Sequence, residues 1–442
     1  MAQALQVGVG RRDITPPVGT LLMGYPDPHG HRAADRVRDP LHATALAFEQ
    51  DGRRAAWVSV DVALLEDVHV QQVRERISER TGIEPGHVTV CAIQTHSAPR
   101  TQHVWGWCIL DHEYIDNIMV PGIVEAIVEA DGKRSPARVG IATTESRVGV
   151  NRRQVLDNHG IGLGQNQWDV FDPTMTVLRF DNADGVLANV VHYGAHPTVF
   201  GGWSKVISRD WPGVMIDRVE QLTGAPTLFI NGAVGDIAPR TNSMSATGDS
   251  EAALLEAGYD AALDAMRPGR SIRDMRDLSL HVATGVYELP YRPLPPVAEA
   301  KAQVRQWEPR KNEPGAGMAE YMHWSAVIEA HGKPAKTGKP YAQVVTALGP
   351  VSLVPMPGEP FGSTVMRMRE RSPFQHTLCA STSCGNNGYF HTRESIHRGG
   401  YEVWVGKALG AYLLADGVDD VLIDENLKLL REAFDRVYPA LA

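Results

Sequence analysis

The stretch GVLANVVHYGAHPTVFG (185–201), with the two segments that follow it, decides the fold class. It begins as an apolar, β-branched run of strand length and ends in a loop of Gly, His and Pro residues. Helical apolar spacing follows from about Pro212 to Leu222. The next segment, PTLFINGAVGDIAPR (226–240), is again an apolar strand that ends in a Gly-rich loop. This order predicts a strand–helix–strand unit.

The same order recurs before and after this unit. Residues 43–62 are typical of two strands around the turn DGRR, and helical spacing at Val68–Thr81 precedes the strand HVTVCAIQTHSAPR (87–100). Later, TALGPVSLVPMPGEPFGSTVMRMRE (346–370) combines a strand, a Pro-Gly turn and a helix. We therefore predict an α/β fold with a mixed β-sheet core and flanking helices. Its chemistry is expected in the polar loops at the strand ends.

One segment departs from this pattern. Between residues 290 and 341 the composition shifts to Pro, Lys, Glu and Ala, with helical spacing at about Pro296–Trp307 and Met318–His331. We interpret it as a helical hairpin inserted into a single catalytic domain that spans residues 1–442. Its large side chains belong either to the core, which we favour, or to a lid over the site; they are Trp307, Tyr321, Met322 and Trp324.

Composition excludes several classes of protein. Lys and Arg total 43 against 52 Asp and Glu, a net charge of -9, so nothing in the chain favours nucleic acid as a partner. There is neither a secretory signal nor an apolar run long enough to cross a bilayer, which predicts a cytoplasmic protein without an integral membrane segment. The four cysteines are too sparse for a disulfide scaffold and are expected to be reduced; they are Cys91, Cys108, Cys379 and Cys384.

The predicted loops contain the candidate chemical groups. Gln94 and His96 are two apart at a strand end and can face one site, although such a His is more often a structural hydrogen-bonding residue. In HYGAH, Gly and Pro interrupt the i, i+4 pair and the Glu of a zinc-protease helix is missing, so His196 is the better ligand and His192 is expected to pack in the strand. Glu359, on the Pro-Gly turn, is either a ligand or a helix-capping residue.

Two tyrosines 12 residues apart, Tyr389 and Tyr401, complete the set of candidates, and buried tyrosines are commonly plain hydrogen-bonding residues.

The motifs of other enzyme classes are incomplete or missing. GVGRRD and GLGQNQ are incomplete dinucleotide fingerprints, and there is no phosphate-binding P-loop motif. A G-x-S-x-G elbow is also missing, so a serine hydrolase would have to rely on Ser97 or Ser208.

A series of short stretches from about Val7 to Leu413 resembles the catalytic domain of the neutral ceramidase family, zinc-dependent hydrolases of the N-acyl bond of ceramide, and particularly its short bacterial members. Their number and order make the resemblance fairly specific. The stretches are GVGRRDITPPVG, MGYPDPHG, RDPLHATALAFE, SVDVALL, THSAPR, NRR, HYGAHPTVFG, SRDWPG, NGAVGDIAPR, PMPGEPF and GYFHTRESIHRGGYE.

The resemblance implies one zinc ion and a set of site residues. It assigns zinc ligands to His196, Glu359 and Tyr389, and it places three further residues around the reaction centre, namely His96, Arg152 and Tyr401. The remaining family ligand, a histidine, falls on Gln94, whose amide oxygen is a weaker zinc ligand than imidazole. Either Gln94 coordinates, or His96 enters the metal shell, or the metal is different or absent.

Two further departures concern the substrate. The serine of the family's Ser-Asn-x-Gly-Asp loop is Gly232 here, and we expect no C-terminal immunoglobulin-like domain. The sequence therefore predicts a cytoplasmic, metal-dependent hydrolase, with zinc as the favoured metal, that acts on a linear or cyclic amide of a small polar molecule through a metal-activated water. Alternatives are a lactone or ester hydrolase, and a non-hydrolytic binding protein that lost a ligand at Gln94. Oligomeric state is left open.

Overall fold

The computed structural model describes residues 3–27, 30–104, 109–157, 159–242, 250–270, 272–275, 278–313 and 315–440. Cys108, one of the four cysteines, lies outside the described residues, and the other three are free thiols. The strands in chain order are β1 (Gln6–Asp13), β2 (Arg36–Val37), β3 (His42–Gln50), β4 (Arg53–Val60), β5 (Val88–Ala92), β6 (Ser135–Pro136), β7 (Arg138–Glu145), β8 (Gly149–Val155), β9 (Ile161–Asn166), β10 (Thr174–Asn182), β11 (Gly185–Tyr193), β12 (Val206–Ile207), β13 (Thr227–Asn231), β14 (Ile237–Pro239), β15 (Arg273–Met275), β16 (Leu280–Pro290), β17 (Gly338–Leu348), β18 (Val351–Pro355), β19 (Glu359–Pro360), β20 (His376–Ala380) and β21 (Tyr389–Phe390).

Helices connect and cover these strands. They are α1 (Asp67–Thr81), α2 (His112–Tyr114), which continues through a π-helical turn (Ile115–Met119) into α3 (Val120–Gly132), α4 (Asp210–Thr223), α5 (Glu251–Met266), α6 (Val297–Trp307), α7 (Ala316–Ala330), α8 (Gly362–Arg371), α9 (Arg393–Arg398), α10 (Tyr401–Val405) and α11 (Val418–Val437). Short 3-10 helices occupy Pro85–His87, Arg267–Arg270, Glu308–Arg310 and Gly406–Leu409. In the described part of the chain, none of the helices is both long and apolar enough to cross a membrane.

The first sheet has the strand order β5-β4-β3-β1-β6. β3 and β4 form the predicted antiparallel pair, in which Ala43 faces Val60. α1 then crosses over and returns the chain to β5, which lies parallel to β4. α1 ends where Gly82 adopts the left-handed conformation with φ 75°, which glycine does at no steric cost.

The second sheet, β13-β11-β10-β7-β15, contains the unit that opened the sequence analysis. β11 and β13 are parallel, with Asn189 opposite Thr227, and α4 forms the crossover between them. α4 buries an apolar face that includes Trp211 and Met215. The predicted strand–helix–strand unit is therefore confirmed.

The third sheet, β16-β17-β18-β20, repeats the arrangement: β18 and β20 are parallel and α8 connects them. β16 and β17 are antiparallel up to the pair Pro290 and Gly338. The chain between these two residues forms α6 and α7, which pack on each other. Two helices thus occupy the segment in which the sequence predicts a helical hairpin.

Only part of the hairpin's large side chains belongs to a core. Met322 is buried in a small cluster with Met318, Met23 and Ala63, so the second helix packs against the wall of the site described below. Trp307, Tyr321 and Trp324 are only half-buried, and the prediction that they belong to the core is wrong for these three.

The three sheets pack around one shared apolar cluster, to which Trp57, Leu178 and Leu353 contribute from the first, second and third sheet. The strands β5, β13 and β20 meet at this junction. Asn231 Nδ2, at the end of β13, donates to Ile93 O at 2.7 Å, and Thr382 Oγ1, just after β20, donates to Ala92 O at 3.1 Å. The mixed-sheet α/β prediction is confirmed, and the polar loops that follow the three parallel pairs converge.

Candidate active site

The loop after β5 brings Gln94 and His96 to the junction. Gln94 has φ 71°, a left-handed conformation that costs a residue other than glycine about 1 kcal/mol or more. This turn places Gln94 Nε2 3.3 Å from Nε2 of His196, and the His96 and His196 rings lie 5.6 Å apart. Gln94 and His96 line the same cavity, as predicted, although they do so from the loop after β5 and not from the strand itself.

His196 follows β11 and has an acceptor beside each ring nitrogen. Its Nδ1 lies 3.0 Å from the carbonyl oxygen of Ile237, and its Nε2 lies 3.2 Å from Glu359 Oε2. With the proton on Nδ1, Nε2 would offer a lone pair to a cation, the arrangement of a metal-binding imidazole oriented by a backbone carbonyl.

Glu359 and Tyr389 are neighbours because β19 and β21 pair in parallel at these two residues. Gly358 permits the close approach, since a Cβ there would lie 2.6 Å from the carbonyl oxygen of Gly388. Burial raises the pKa of Glu359, but contact with His196 and the charge of Arg152 outweigh this and leave the pKa below its ordinary value. Glu359 is therefore a buried carboxylate rather than a helix cap, and the N-cap residue of α8 is Phe361.

Arg152, on β8, connects the parts of the site. Its Nη2 donates to the Tyr389 hydroxyl at 3.0 Å and to Gly235 O at 2.8 Å, while Nη1 lies 3.4 Å from His196 Nε2. Burial opposes the charge of Arg152, but the facing acidic groups raise its pKa above the ordinary value. A permanent positive charge thus lies between His196 and Tyr389.

Tyr401 begins α10 and stands against the same guanidinium, whose Cζ is 5.5 Å from the ring centroid. The Tyr389 and Tyr401 rings are 6.3 Å apart in an edge-on arrangement. Burial raises the pKa of Tyr401 to about 12, against the opposing effect of Arg152. Its hydroxyl therefore stays protonated at neutral pH and can donate a hydrogen bond.

His96 is enclosed and uncharged. Burial, with the neighbouring His196, Arg32 and Arg152, places the pKa of His96 well below its ordinary value. Gly24, with φ 100°, makes room for the imidazole, since a Cβ at that position would lie 2.4 Å from the His96 ring. The imidazole is therefore neutral and keeps a free lone pair, although the lowered pKa makes it a weaker base than an exposed histidine.

His192 packs in the strand, as predicted: it is buried and its Nε2 lies 2.9 Å from the carbonyl oxygen of Cys379. Gly232, at the serine position of the resemblance, adjoins backbone, and a Cβ there would approach Gly194 N to 3.0 Å. Ser208 is also accounted for, because its hydroxyl donates to Asp39 Oδ2 at 2.7 Å.

Three adjacent cavities surround the site. The central cavity, about 80 Å³, is lined by polar groups of the site and by Met23, Leu64, Val104, Val405 and Leu409. The side cavity, about 460 Å³, shares His96 and Tyr401 with the central cavity and is bordered by Tyr25, Leu163 and Trp203. The polar cavity, about 480 Å³, adjoins the central one at Asn386 and Tyr389.

The metal implied by the resemblance can be tested against these residues. No group of three or more His, Cys, Asp or Glu side chains is placed to hold a metal ion within the described ranges. The donors that do converge are one imidazole, one carboxylate, one amide and one phenol: His196, Glu359, Gln94 and Tyr389. In the described structure Glu359 Oε2 is buried without a hydrogen-bond partner, which a cation beside it would supply; Gln94 Oε1 is also unpartnered, although the amide nitrogen of Gln94 is the atom that faces His196. The residues fit one divalent cation through a weaker ligand set than histidine at position 94 would give.

Sequence reasoning missed Glu402 and Arg153. Glu402 is fully buried and accepts from Arg152 Nε at 2.9 Å and from Arg153 Nη1 at 2.5 Å. A signal was present, because two adjacent arginines on a buried strand require acidic partners, and Glu402 directly follows Tyr401. Asp236 was also missed; it accepts from Gly362 N at 2.8 Å, and burial raises its pKa to about 7.

Comparisons with known proteins identify the family of this chain. Residues 5–257 match the family described as neutral/alkaline non-lysosomal ceramidase, N-terminal. The neutral ceramidase of Pseudomonas aeruginosa is 25% identical over 253 residues, which cover 54% of this chain and 38% of that protein. Neutral ceramidase 1 of Arabidopsis thaliana is 27% identical over 269 residues, or 57% of this chain and 34% of that protein. The chain thus aligns with about two fifths or less of these relatives' length.

Solved structures extend the likeness of fold to nearly the whole chain. The crystal structure of the Pseudomonas aeruginosa neutral ceramidase matches with a TM-score of 0.71 at 19% identity, over 97% of this chain and 75% of that one. A ceramidase complexed with C2 matches with a TM-score of 0.75 at 18% identity, over 98% of this chain and 76% of that one. The predicted resemblance is confirmed: the chain belongs to the neutral/alkaline non-lysosomal ceramidase family, whose N-terminal model matches more than half of it.

Proposed function

We propose that this protein hydrolyses N-acyl amides and uses one divalent metal ion, zinc being the favoured metal. One observation carries the proposal: His196 Nε2 lies 3.2 Å from Glu359 Oε2 and 3.4 Å from Arg152 Nη1, and Glu359 lines the central cavity together with Gln94 and His96. Family membership supports hydrolysis of an amide, because the relatives are named as ceramidases.

The metal would be held by His196 Nε2, Glu359, the Gln94 amide oxygen and the Tyr389 hydroxyl. A divalent ion bound there would polarise the scissile carbonyl and lower the pKa of a water molecule. For Gln94 to contribute its oxygen, its side-chain amide must turn over, because the amide nitrogen now faces His196. Gln94 Oε1 makes no hydrogen bond in the described structure that this turn would break.

His96 is proposed to move the proton. Its neutral imidazole takes a proton from the attacking water and returns it to the amide nitrogen as the C–N bond breaks. The products are the carboxylic acid, which keeps the oxygen of water, and the free amine. Arg32 supports this position from behind by donating to the carbonyl oxygen of His96 at 3.1 Å.

Arg152 and Tyr401 are proposed to stabilise the oxyanion of the tetrahedral intermediate. Arg152 is permanently charged and fixed by Glu402, and Tyr401 remains a hydrogen-bond donor through the neutral range. One donor of this kind can contribute about 3 kcal/mol to the transition state. Donors stabilise an oxyanion best when they do not have to reorient during the reaction. The contacts of Arg152 hold its guanidinium in place and so meet this condition.

The cavities favour a substrate with an apolar arm. The central cavity is bordered by methionine, leucine and valine side chains, and the side cavity by Tyr25, Leu163 and Trp203. These surfaces suit an acyl chain on one side of the amide. We therefore replace the expectation of a small polar substrate, which neither the cavity nor the named activity of the relatives supports, with an N-acyl amide. The lactone or ester alternative stays an untested prediction.

One observation favours the rival, a binding protein that has lost hydrolysis. Two N–H donors, on Gln94 and Arg152, face His196 Nε2, the nitrogen that would bind the metal.

The metal content of the purified protein distinguishes the hydrolase from the binding protein. We expect near-stoichiometric zinc in protein purified from zinc-supplemented cells, and loss of amide hydrolysis on chelation with recovery on zinc addition. Protein without bound metal and without activity on N-acyl amides of increasing chain length would favour the rival.

A further inference from the structure

The polar cavity beside the reaction centre has no role in the proposed chemistry. It is several times larger than the central cavity, about 480 Å³ against about 80 Å³, and the two share Asn386, Tyr389 and Leu409. A group attached to a substrate at the reaction centre could therefore extend into it. Its lining identifies what that group is.

Two buried polar atoms of this lining lack a hydrogen-bond partner in the described structure: Asn386 Oδ1 and the Tyr341 hydroxyl. Their residues are only 7% and 5% exposed. The Asn386 amide is fixed, because Gln102 Nε2 donates to Asn386 O at 3.1 Å and Gln102 Oε1 then accepts from Asn386 Nδ2 at 2.8 Å. Buried polar atoms are rarely left unsatisfied, so a ligand is expected to supply these bonds.

The chemistry of the missing partner follows from the two atoms. Asn386 Oδ1 accepts only, whereas a tyrosine hydroxyl donates and accepts. Ligand hydroxyls suit both atoms, because a hydroxyl can donate to Asn386 Oδ1 and a hydroxyl oxygen can accept from Tyr341. Lys339 Nζ lies over the Tyr341 ring, 5.6 Å from its centre, and this cation–π contact helps to fix the ring.

The lysine and arginine side chains that line the cavity are paired with carboxylates of the protein. Lys339 Nζ pairs with Asp67 at 2.9 Å, Arg292 with Asp416 at 2.9 Å, and Lys407 with Glu320. Glu66 also lines the cavity and accepts from His103 N at 2.7 Å, so the lining does not favour an anionic ligand. Two further rings, those of Tyr291 and Tyr412, lie 5.1 Å apart and border the same space, which gives an uncharged ring a surface to pack on.

We propose that the polar cavity binds an uncharged, polyhydroxylated ring, and that this ring is the amine-side part of the substrate, as in an N-acylated amino sugar. The assignment of the amine side rests on the proposed amide hydrolysis. Hydrolysis would then release a fatty acid, which takes the oxygen of water, and an amino sugar, which takes the proton. The acyl chain occupies the apolar space on the other side of the reaction centre.

The experiment compares N-octanoylglucosamine with N-cyclohexyloctanamide, which has the same acyl chain and a ring without hydroxyls. We expect a higher kcat/KM for the sugar amide by about tenfold or more, expressed mainly in KM. Tyr341→Phe and Asn386→Leu should each reduce that preference roughly 3- to 10-fold, the effect of one neutral hydrogen bond. The matched control is Tyr287→Phe, since Tyr287 lies opposite Tyr341 across the strand pair, is equally buried and does not line the cavity.

Direct binding of N-acetylglucosamine, measured by calorimetry, keeps this inference separate from the proposed function. Binding that Tyr341→Phe weakens and Tyr287→Phe does not would support the cavity even if no amide is hydrolysed, in which case the proposed function fails alone. Equal turnover of the two octanamides, or equal effects of the two tyrosine variants, would overturn the sugar site and leave amide hydrolysis standing. No binding and no hydrolysis would overturn both.

Discussion

Glu402 holds Arg152 by a hydrogen bond from Nε to Oε1 at 2.9 Å, and the two residues are 250 positions apart in the chain. The carboxylate is fully buried and its second oxygen accepts from Arg153. With Nε engaged, both terminal nitrogens of Arg152 are directed towards His196 and Tyr389. Glu402 is therefore a positioning residue whose effect on the reaction passes through Arg152.

Replacing Glu402 by Ala should destabilise the protein severely. It would leave two buried guanidinium groups without their carboxylate, and breaking a buried pair in this way costs about 3–5 kcal/mol. Urea unfolding measures the change in the free energy of unfolding. The control is Glu432→Gln, which removes the exposed i, i+4 pair with Arg436 and should change stability by about 0.5 kcal/mol or less. Similar effects of the two substitutions would contradict the assigned burial.

Gly24→Ala should disable the site without affecting the rest of the fold. A Cβ at Gly24 would lie 2.4 Å from the His96 ring, so the imidazole must move from its position beside His196. We expect a loss of kcat of about 100-fold, the scale of a general acid–base contribution. Gly19→Ala is a matched control, because its φ of 99° equals that of Gly24 within a degree and nothing lies within 4 Å of its Cβ. Equal loss of activity in both variants would show that backbone strain, and not His96, is responsible.

Tyr401→Phe should lower kcat by about 100-fold or more and leave KM nearly unchanged, because the hydroxyl is proposed to act on the oxyanion of the transition state. With a pKa raised to about 12, the hydroxyl keeps its proton as the pH rises and loses it only near that value. The wild-type kcat should therefore show no decline due to Tyr401 between neutral pH and pH 10. A change confined to KM would make Tyr401 a substrate-binding residue.

His196→Ala and Glu359→Ala should each abolish zinc binding, measured by elemental analysis after dialysis. Both side chains are proposed ligands, and the affinity of a site for a first-row metal ion depends on the number of strong donors it contains. His192→Asn supplies the control, since His192 is equally buried on the same segment but is engaged with the carbonyl oxygen of Cys379. Full zinc occupancy in either ligand variant would refute the assignment, as would loss of zinc from the control.

The local units of this fold were predictable because each is specified by neighbouring residues. The apolar strand, the turn and the helix around Glu359 follow one another within 25 positions, and periodicity with Gly and Pro boundaries is sufficient to predict them. The meeting of three sheets was not predictable in this way. Contacts such as Asn231 with Ile93 join residues 138 positions apart, and the single sequence contains no local signal for such a pair.

The same distinction applies within the site. Gln94 and His96 line one cavity because they are two apart in one short loop, which was predictable; strand alternation is not the cause, since β5 ends at Ala92 and Gln94 is left-handed. The pairing of Arg152 with Glu402 depends on tertiary structure, although the need of two adjacent buried arginines for an acid was visible. The boundary between core and surface in the inserted helices depends on what lies above each face, which is why Met322 is buried and Trp324 is not.

Gln94→His is the substitution that bears most directly on the proposed metal. Position 94 has φ 71°, and histidine is among the residues that tolerate the left-handed region better than most, so the loop should keep its conformation. An imidazole there would add a second nitrogen donor beside His196, where the Gln94 amide now lies 3.3 Å away. We expect the Kd for zinc to fall about tenfold or more, the scale of a change in a ligand or its immediate support. Gln94→Ala is the complementary variant and should weaken zinc binding.

Turnover of the Gln94→His variant need not rise with its zinc affinity, because a more strongly donating ligand reduces the Lewis acidity of the ion. Competition titration with a chromogenic chelator measures the Kd, and a crystal structure of the zinc-loaded wild type identifies the ligands. A metal about 2.1 Å from a His96 nitrogen and beyond about 3 Å from Gln94 would make His96 the ligand, and the proton transfer assigned to it would require a different residue.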